Sequence, residues 1–329
     1  MLFSLASIGP DTDLITKVIL SVVLAVQGAL AGVIIAHLFP DVSVINRPFK
    51  TKINSNRVFV FITIAFILHI FLFGYLMFVR TYTLETFTYD LGIFAQMFHN
   101  MAETGLPTTT LERSWEMSHF SVHVSPIYYL MLPLYYISRS AIALQLAQIV
   151  IVASGVLPLI LITGLFGWPQ RRAGVFSLLY LTYPAIIGSS MFDLHENCFL
   201  APLLLWLLYF VLKKHTAGTF LFTVLVLSVK EDAALYIVFV ALWMLLSCRT
   251  NKKHGAVMLS IALAWFALAL YWLNTRGVGS MEPRYSNLMA WPEYGLLGAA
   301  WTSFLHPAYT ISRIFTAEKI VYVITVLAP

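Results

Sequence analysis

The sequence predicts an all-α fold: one polytopic transmembrane helix bundle of about seven to eight spans, carrying a long outer loop of interfacial helices. Three observations predict it. First, 60% of residues are hydrophobic and only 11% are charged, whereas a soluble domain carries roughly 25% charged residues. Second, apolar runs of span length recur along the chain between short charged breaks. Third, Lys and Arg gather in alternate breaks, which is a topology signal. The net charge of +5 is therefore no sign of a nucleic-acid partner, which needs basic residues clustered on one folded surface.

Taken in order, residues 1–79 hold two spans, 14–38 and 57–79. Arg47, Lys50, Lys52 and Arg57 fill the break between them, and Arg80 closes the second. Residues 80–140 form the long loop. The stretch 141–274 returns to spans at 141–166, 173–191, 199–212, 217–229, 233–248 and 255–274. Arg171 and Arg172, then Lys213 and Lys214, then Arg249, Lys252 and Lys253 mark one side. Asp193 to Glu196 and Lys230 to Asp232 mark the other. Residues 275–329 comprise a polar, aromatic segment and the start of a further span, which reads as truncated. The N-terminal apolar run lacks a basic start and is long, so it reads as a span and not a signal peptide. Cys198 and Cys248 are far apart and suggest neither a disulfide nor a metal framework.

The alternate basic loops hold 11 of the 20 Lys and Arg but one acid, Asp41. The other 14 of 15 acids fall on the opposite side. The positive-inside rule places the basic loops in the cytoplasm. A multi-pass protein of the cell membrane follows, with the acidic loops extracytoplasmic. Residues 124–138 are apolar but shorter than the roughly 17 residues a crossing helix needs. Crossing there would also invert every later loop. They are expected to lie in the outer interface, with Tyr128, Tyr129, Tyr135 and Tyr136 at headgroup depth. Leu91, Phe94, Phe98 and Met101 recur at helical spacing, so an amphipathic interfacial helix is expected to start near Asp90.

Three acidic clusters face the outer side: Asp90, Asp193 with Glu196, and Glu231 with Asp232. Ionisable groups at membrane depth are costly and usually functional. Each also has a plainer reading. Asp90 suits a helix N-terminus, and the others could be ordinary loop charges. His195-Glu196 begins like a metalloprotease helix, but that motif needs His at 199 and Phe199 stands there. Asp90, Asp193 and His195 are candidate ligands for a divalent cation such as Mg or Mn, at no diagnostic spacing. Lys230 either neutralises its own turn or offers a positive charge to a phosphate. His119 and His123 could do likewise, or anchor the loop. There is no phosphate-binding glycine loop, nucleophile elbow or nucleotide fingerprint.

Tyr-Asp-Leu-Gly-Ile-Phe-Ala-Gln at 89–96 resembles the hallmark of domain-of-unknown-function family 2079, a family of prokaryotic membrane proteins. His-Val-Ser-Pro at 123–126, Pro-Leu-Tyr at 133–135, Phe-Asp-Leu-His-Glu at 192–196 and Lys-Glu-Asp-Ala-Ala-Leu at 230–235 resemble its later motifs in matching order. That family resembles the C-type glycosyltransferases, membrane enzymes that use polyprenyl-phosphate sugars. The resemblance implies a bundle of that type, with membrane lipid and a polyprenyl-phosphate sugar donor as partners. It implies a catalytic role for Asp90, at the start of the first outer loop, and for Asp193, in the next. His123, Glu196, Lys230, Glu231 and Asp232 would bind substrate. The span at 14–38 is extra to the pattern, and such enzymes continue beyond the point where this chain stops. A transporter or channel with an outward acidic site also fits the charges, as does a non-catalytic assembly subunit. The transporter needs polar residues in mid-span, and Gln27, His69, Gln145 and Gln148 are the few present.

Overall fold

The computed structural model describes residues 55–86, 90–113, 115–246, 251–278 and 286–327. The expected span at 14–38 and most of the first basic loop lie outside the described residues. Within them the fold is all-α apart from one two-residue hairpin. The helices are α1 (Ser55–Tyr82), α2 (Asp90–Thr104), α3 (Ile127–Ser138), α4 (Ala141–Ala153), α5 (Val156–Leu165), α6 (Gln170–Thr182), α7 (Pro184–Met191), α8 (Leu200–Leu212), α9 (Thr216–Leu227), α10 (Ala234–Leu246) and α11 (Lys252–Arg276). α12 (Gly295–Leu305), α13 (Pro307–Ile314) and α14 (Ala317–Leu327) follow. The strands Thr108–Thr109 (β1) and Met117–Ser118 (β2) pair antiparallel between α2 and α3.

Three stretches are long and apolar enough to cross a membrane: Arg57–Tyr82, Ala141–Leu165 and Lys252–Arg276. A fourth arises if α6 and α7, bent by 50°, count as one span. Pro184 explains the bend, since it lacks the N–H that would continue α6, and it biases Tyr183 to the extended backbone seen there. The expected span at 173–191 corresponds to this bent pair. Ala141–Leu165 is interrupted at Gly155, where the Tyr180 hydroxyl crosses to the Val152 carbonyl at 2.7 Å. A Cβ on Gly155 would stand 2.2 Å from that hydroxyl, so only glycine lets α6 approach so closely. α1 exposes large apolar side chains around its outer side, Phe71 at 74% among them, as a lipid-facing helix does.

α3 fixes the geometry of the outer loop. Its 12 residues span roughly 18 Å, short of the roughly 30 Å hydrocarbon core. Arg139 adopts a left-handed backbone (φ 45°) at its end, and Ser140 caps α4 by accepting the Ile142 N–H. The four tyrosines do not share one depth. Tyr128 and Tyr135, seven apart, face inward and are buried. Tyr129 and Tyr136 face outward and donate to the carbonyls of Gly105 and Ala102 at the end of α2. α2 begins at Asp90 as its spacing predicts, but its apolar face is covered by protein. Phe94, Met97, Phe98 and Met101 join Tyr128 and Leu144 in the main core with α8 to α11.

The two ends of the bundle differ in charge. The ends of α1, α7, α9 and α11 meet the starts of α2, α8 and α10 and the outer loop at the acidic end. Contacts across it include Ile127 N–H to Ser228 O (2.8 Å), Val278 N–H to Ser121 O (3.0 Å) and Trp272 Nε1–H to Phe120 O (3.0 Å). At the other end the starts of α9 and α11 touch through Phe220 and His254, close in sequence to Lys213, Lys214, Lys252 and Lys253.

Candidate functional site

Four segments that are distant in sequence bring their polar groups together at the acidic end. The turn at Glu196–Phe199 that leads into α8 supplies Glu196, 1% exposed. Tyr128 of α3, fully buried, donates its hydroxyl to Glu196 Oε2 at 2.5 Å, and Lys230 Nζ lies 3.1 Å from Oε1. Burial pushes the Glu196 carboxyl up, but His195, Lys230 and the Tyr128 hydrogen bond together hold it down at about 2. Burial and Glu196 raise the Tyr128 phenol well above its usual range, so it remains a donor. His195 Nδ1 lies 3.3 Å from both the Asn197 nitrogen and Glu196 Oε2. Burial lowers the His195 pKa, and Lys230 and His123 lower it further, against Glu196 and Asp90, which raise it.

Glu231 is clamped from the outer loop. His123 Nδ1 lies 2.9 Å from Oε1, and the Val124 N–H donates to Oε2 at 2.9 Å. Burial raises the Glu231 carboxyl, but these contacts outweigh it and leave it below its usual range. Burial raises its neighbour Asp232, with Lys230 opposing. A second carboxylate–imidazole pair sits beside the first: His119 Nδ1 is 2.9 Å from Glu112 Oε1, and the His119 ring packs 6.1 Å from that of His123.

Asp193 points elsewhere. It is 1% exposed, and its Oδ1 lies 3.3 Å from Arg80 Nη2 at the end of α1. Arg80 also donates to the Met191 carbonyl at 2.6 Å. The turn around Asp193 is fixed by Gln148 of α4. Its amide nitrogen donates to Ser189 O and Phe192 O, both at 3.0 Å, and its oxygen accepts the His195 N–H at 2.9 Å.

Asp90 stands in the first turn of α2, half-buried, where the helix dipole favours a carboxylate. It lies within electrostatic reach of His195. Phe94, one turn on, packs against His119, Tyr128 and His195 at 5.3, 5.1 and 6.3 Å. Among the described residues Asp90 and Asp232 form no ion pair, whereas Glu112, Asp193 and Glu231 each have one and Glu196 has two, to Lys230 and His195.

Of the residues singled out from the sequence, Asp90, His123, His195, Glu196, Lys230, Glu231 and Asp232 gather at this end, and Asp193 is drawn aside by Arg80. The proposed metal set of Asp90, Asp193 and His195 is not assembled. Among the described residues no three His, Cys, Asp or Glu side chains are placed to hold a metal ion. Asp193 faces a guanidinium, and His195 Nδ1 serves a backbone N–H. Sequence reasoning missed Tyr128, Gln148, Arg80 as the partner of Asp193, and the Glu112–His119 pair. Tyr128 had a signal, since it and Tyr135 are seven apart and so share a helix face with Met131.

Neither the curated proteins nor the solved structures contain a match to this chain. One family model, described as "Predicted membrane protein (DUF2079)", matches residues 80–329, from the end of α1 to the last residue. The chain belongs to that family of membrane proteins.

Proposed function

We propose that this protein is a membrane glycosyltransferase of the C type, moving a sugar from a polyprenyl-phosphate donor to an acceptor hydroxyl at the acidic end of its bundle. The observation that carries the reading is the placement of Asp90. It stands half-buried at the start of α2, within electrostatic reach of His195, and forms no ion pair among the described residues, beside Glu196 and Glu231, which Lys230 and His123 engage. Asp90 accepts the proton of the acceptor hydroxyl, a contribution typically worth 10²- to 10⁴-fold for a general base. The acceptor oxygen attacks the anomeric carbon, the bond from that carbon to the phosphate oxygen breaks, and the polyprenyl phosphate departs as an anion. Lys230 meets that developing charge, and His123, held by Glu231, stands beside it. Asp193 acts as a positioning residue that docks its turn onto Arg80. No step is routed through a metal ion, because the donors do not converge.

In this reading the shorter helices α8, α9 and α10 also cross the bilayer, giving about seven to eight spans with residues 14–38. The basic end faces the cytoplasm and the site faces outward. The transporter reading needs mid-span polar groups free to handle cargo. His69 is engaged with Ser190 at 2.9 Å, Gln148 uses its amide on three backbone groups, and Gln145 accepts the Thr81 hydroxyl at 3.1 Å but leaves its buried amide nitrogen without a partner among the described residues. The transferase reading is tested with purified protein in nanodiscs, a panel of undecaprenyl-phosphate hexoses and acceptor-containing membrane extract. Release of undecaprenyl phosphate from at least one donor is expected. No release from any donor, with the protein folded, contradicts the reading.

A further inference from the structure

We propose that Tyr128, Glu196 and Lys230 form a fixed relay in which Glu196 is the internal counter-ion of Lys230, so that this carboxylate strengthens the binding of a phosphate whose charge it shares. The inference rests on the reading above, in which Lys230 receives the phosphate.

Glu196 is 1% exposed and both its oxygens face protein groups, Oε2 the Tyr128 hydroxyl and, at 3.3 Å, His195 Nδ1, and Oε1 the Lys230 ammonium at 3.1 Å. Glu196 therefore has no oxygen directed at a ligand, and its role is internal. The Tyr128 ring is locked between Phe94 and Phe98 of α2 and His119 of the outer loop. The position of Glu196, and through it that of Lys230, is thus set by the helix that carries Asp90. The Lys230 side chain is only 10% exposed. The groups around it are Glu196 and His195 from the turn ahead of α8, Glu231 and Asp232 from its own turn, and His123, which holds Glu231. Glu231 is engaged by His123 Nδ1 and the Val124 N–H, which leaves Glu196 as the direct ion-pair partner. A buried ammonium stripped of its counter-charge sheds its proton or leaves the interior. An ammonium has three N–H donors, so pairing with Glu196 leaves donors for a phosphate. The ligand chemistry is a phosphate group, lipid-linked or free.

The test measures Kd for undecaprenyl phosphate and for inorganic phosphate at pH 6 and pH 8.5, with wild type as the reference at each pH. Lys230→Ala should weaken binding about tenfold or more, and the probe that shows this dependence identifies the source of the phosphate. If wild type binds neither probe, or Lys230→Ala binds as wild type does, the phosphate reading of the site fails and this inference goes with it. Where that dependence holds, Glu196→Gln should also weaken binding about tenfold at pH 8.5 and distinctly less at pH 6. Adding Lys230→Arg, whose charge does not titrate, should restore binding at pH 8.5. Tyr128→Phe keeps the ring and should weaken binding in the same direction while the protein remains folded, and it decides the matter if Glu196→Gln does not fold. Binding by Glu196→Gln equal to or tighter than wild type would overturn the relay while leaving the phosphate reading intact. So would a loss that neither low pH nor Lys230→Arg repairs.

Discussion

At the scale of single residues, the site is a set of carboxylates sorted by their partners. Asp193 and Arg80 illustrate one class, a buried pair that holds two segments together. Removing one member leaves an uncompensated charge, so Asp193→Asn should cost about 3–5 kcal/mol. Arg80→Met in the same chain should recover part of it, both read as melting temperature in detergent. Glu196 and His195 set the response to acid. Between pH 4.5 and about 2 the unfolded chain binds a proton at Glu196 that the folded chain does not, so this stability is present above pH 4.5 and lost as pH falls through about 2. His195, with its lowered pKa, works in the same direction just below pH 6.5, because the unfolded chain is again the one that binds the proton. Melting temperature should therefore fall on acidification below pH 6.5, and His195→Gln should flatten the upper part of that fall. The acids themselves were legible in the sequence, because a charge in so apolar a chain is conspicuous. Their partners were not, since Arg80 and Asp193 are 113 positions apart and nothing local links them.

At the scale of elements, apolar periodicity located the helices well and their breaks less well. The start of α2 at Asp90 follows from its spacing, and α3 is as short as the length argument requires. What covers each apolar face was not legible. A lipid surface and a protein core select the same residue types, so Phe94 and Phe98 read as interfacial until their burial among α3 and α8 to α11 is seen. The pairing of α1, α4 and α7 around the Asp193 turn depends on Gln148, a polar residue that sequence alone assigns to mid-span. Gln148→Leu should leave two carbonyls and the His195 N–H without their partner, at about 1–3 kcal/mol each. Hydrogen exchange should rise at 189–196 ahead of the rest of the bundle. Unchanged exchange there would remove Gln148 from its role as the clamp of that turn.

At the scale of the whole molecule, charge is segregated between the two ends, and that segregation was the most legible feature of the chain. It needs only a count of Lys and Arg in alternate loops. The convergence of the outer loop, the Asp193–Phe199 turn and the Lys230–Ala233 turn follows from it only in part. The count puts them on one side, and packing brings them into contact. The orientation has its own test. With Cys198 and Cys248 replaced by Ser, Arg113→Cys should react with a membrane-impermeant maleimide in intact cells, and Lys214→Cys should react only after permeabilisation. The reverse pattern would invert the topology and place the site in the cytoplasm. The central claim is that the acidic end performs a glycosyl transfer with Asp90 as its base. The most direct measurement is the rate of undecaprenyl phosphate release by Asp90→Asn in nanodiscs, beside wild type and with melting temperature recorded for both. The account predicts a loss of at least about 10²-fold at an unchanged melting temperature, and full release by the variant would contradict it.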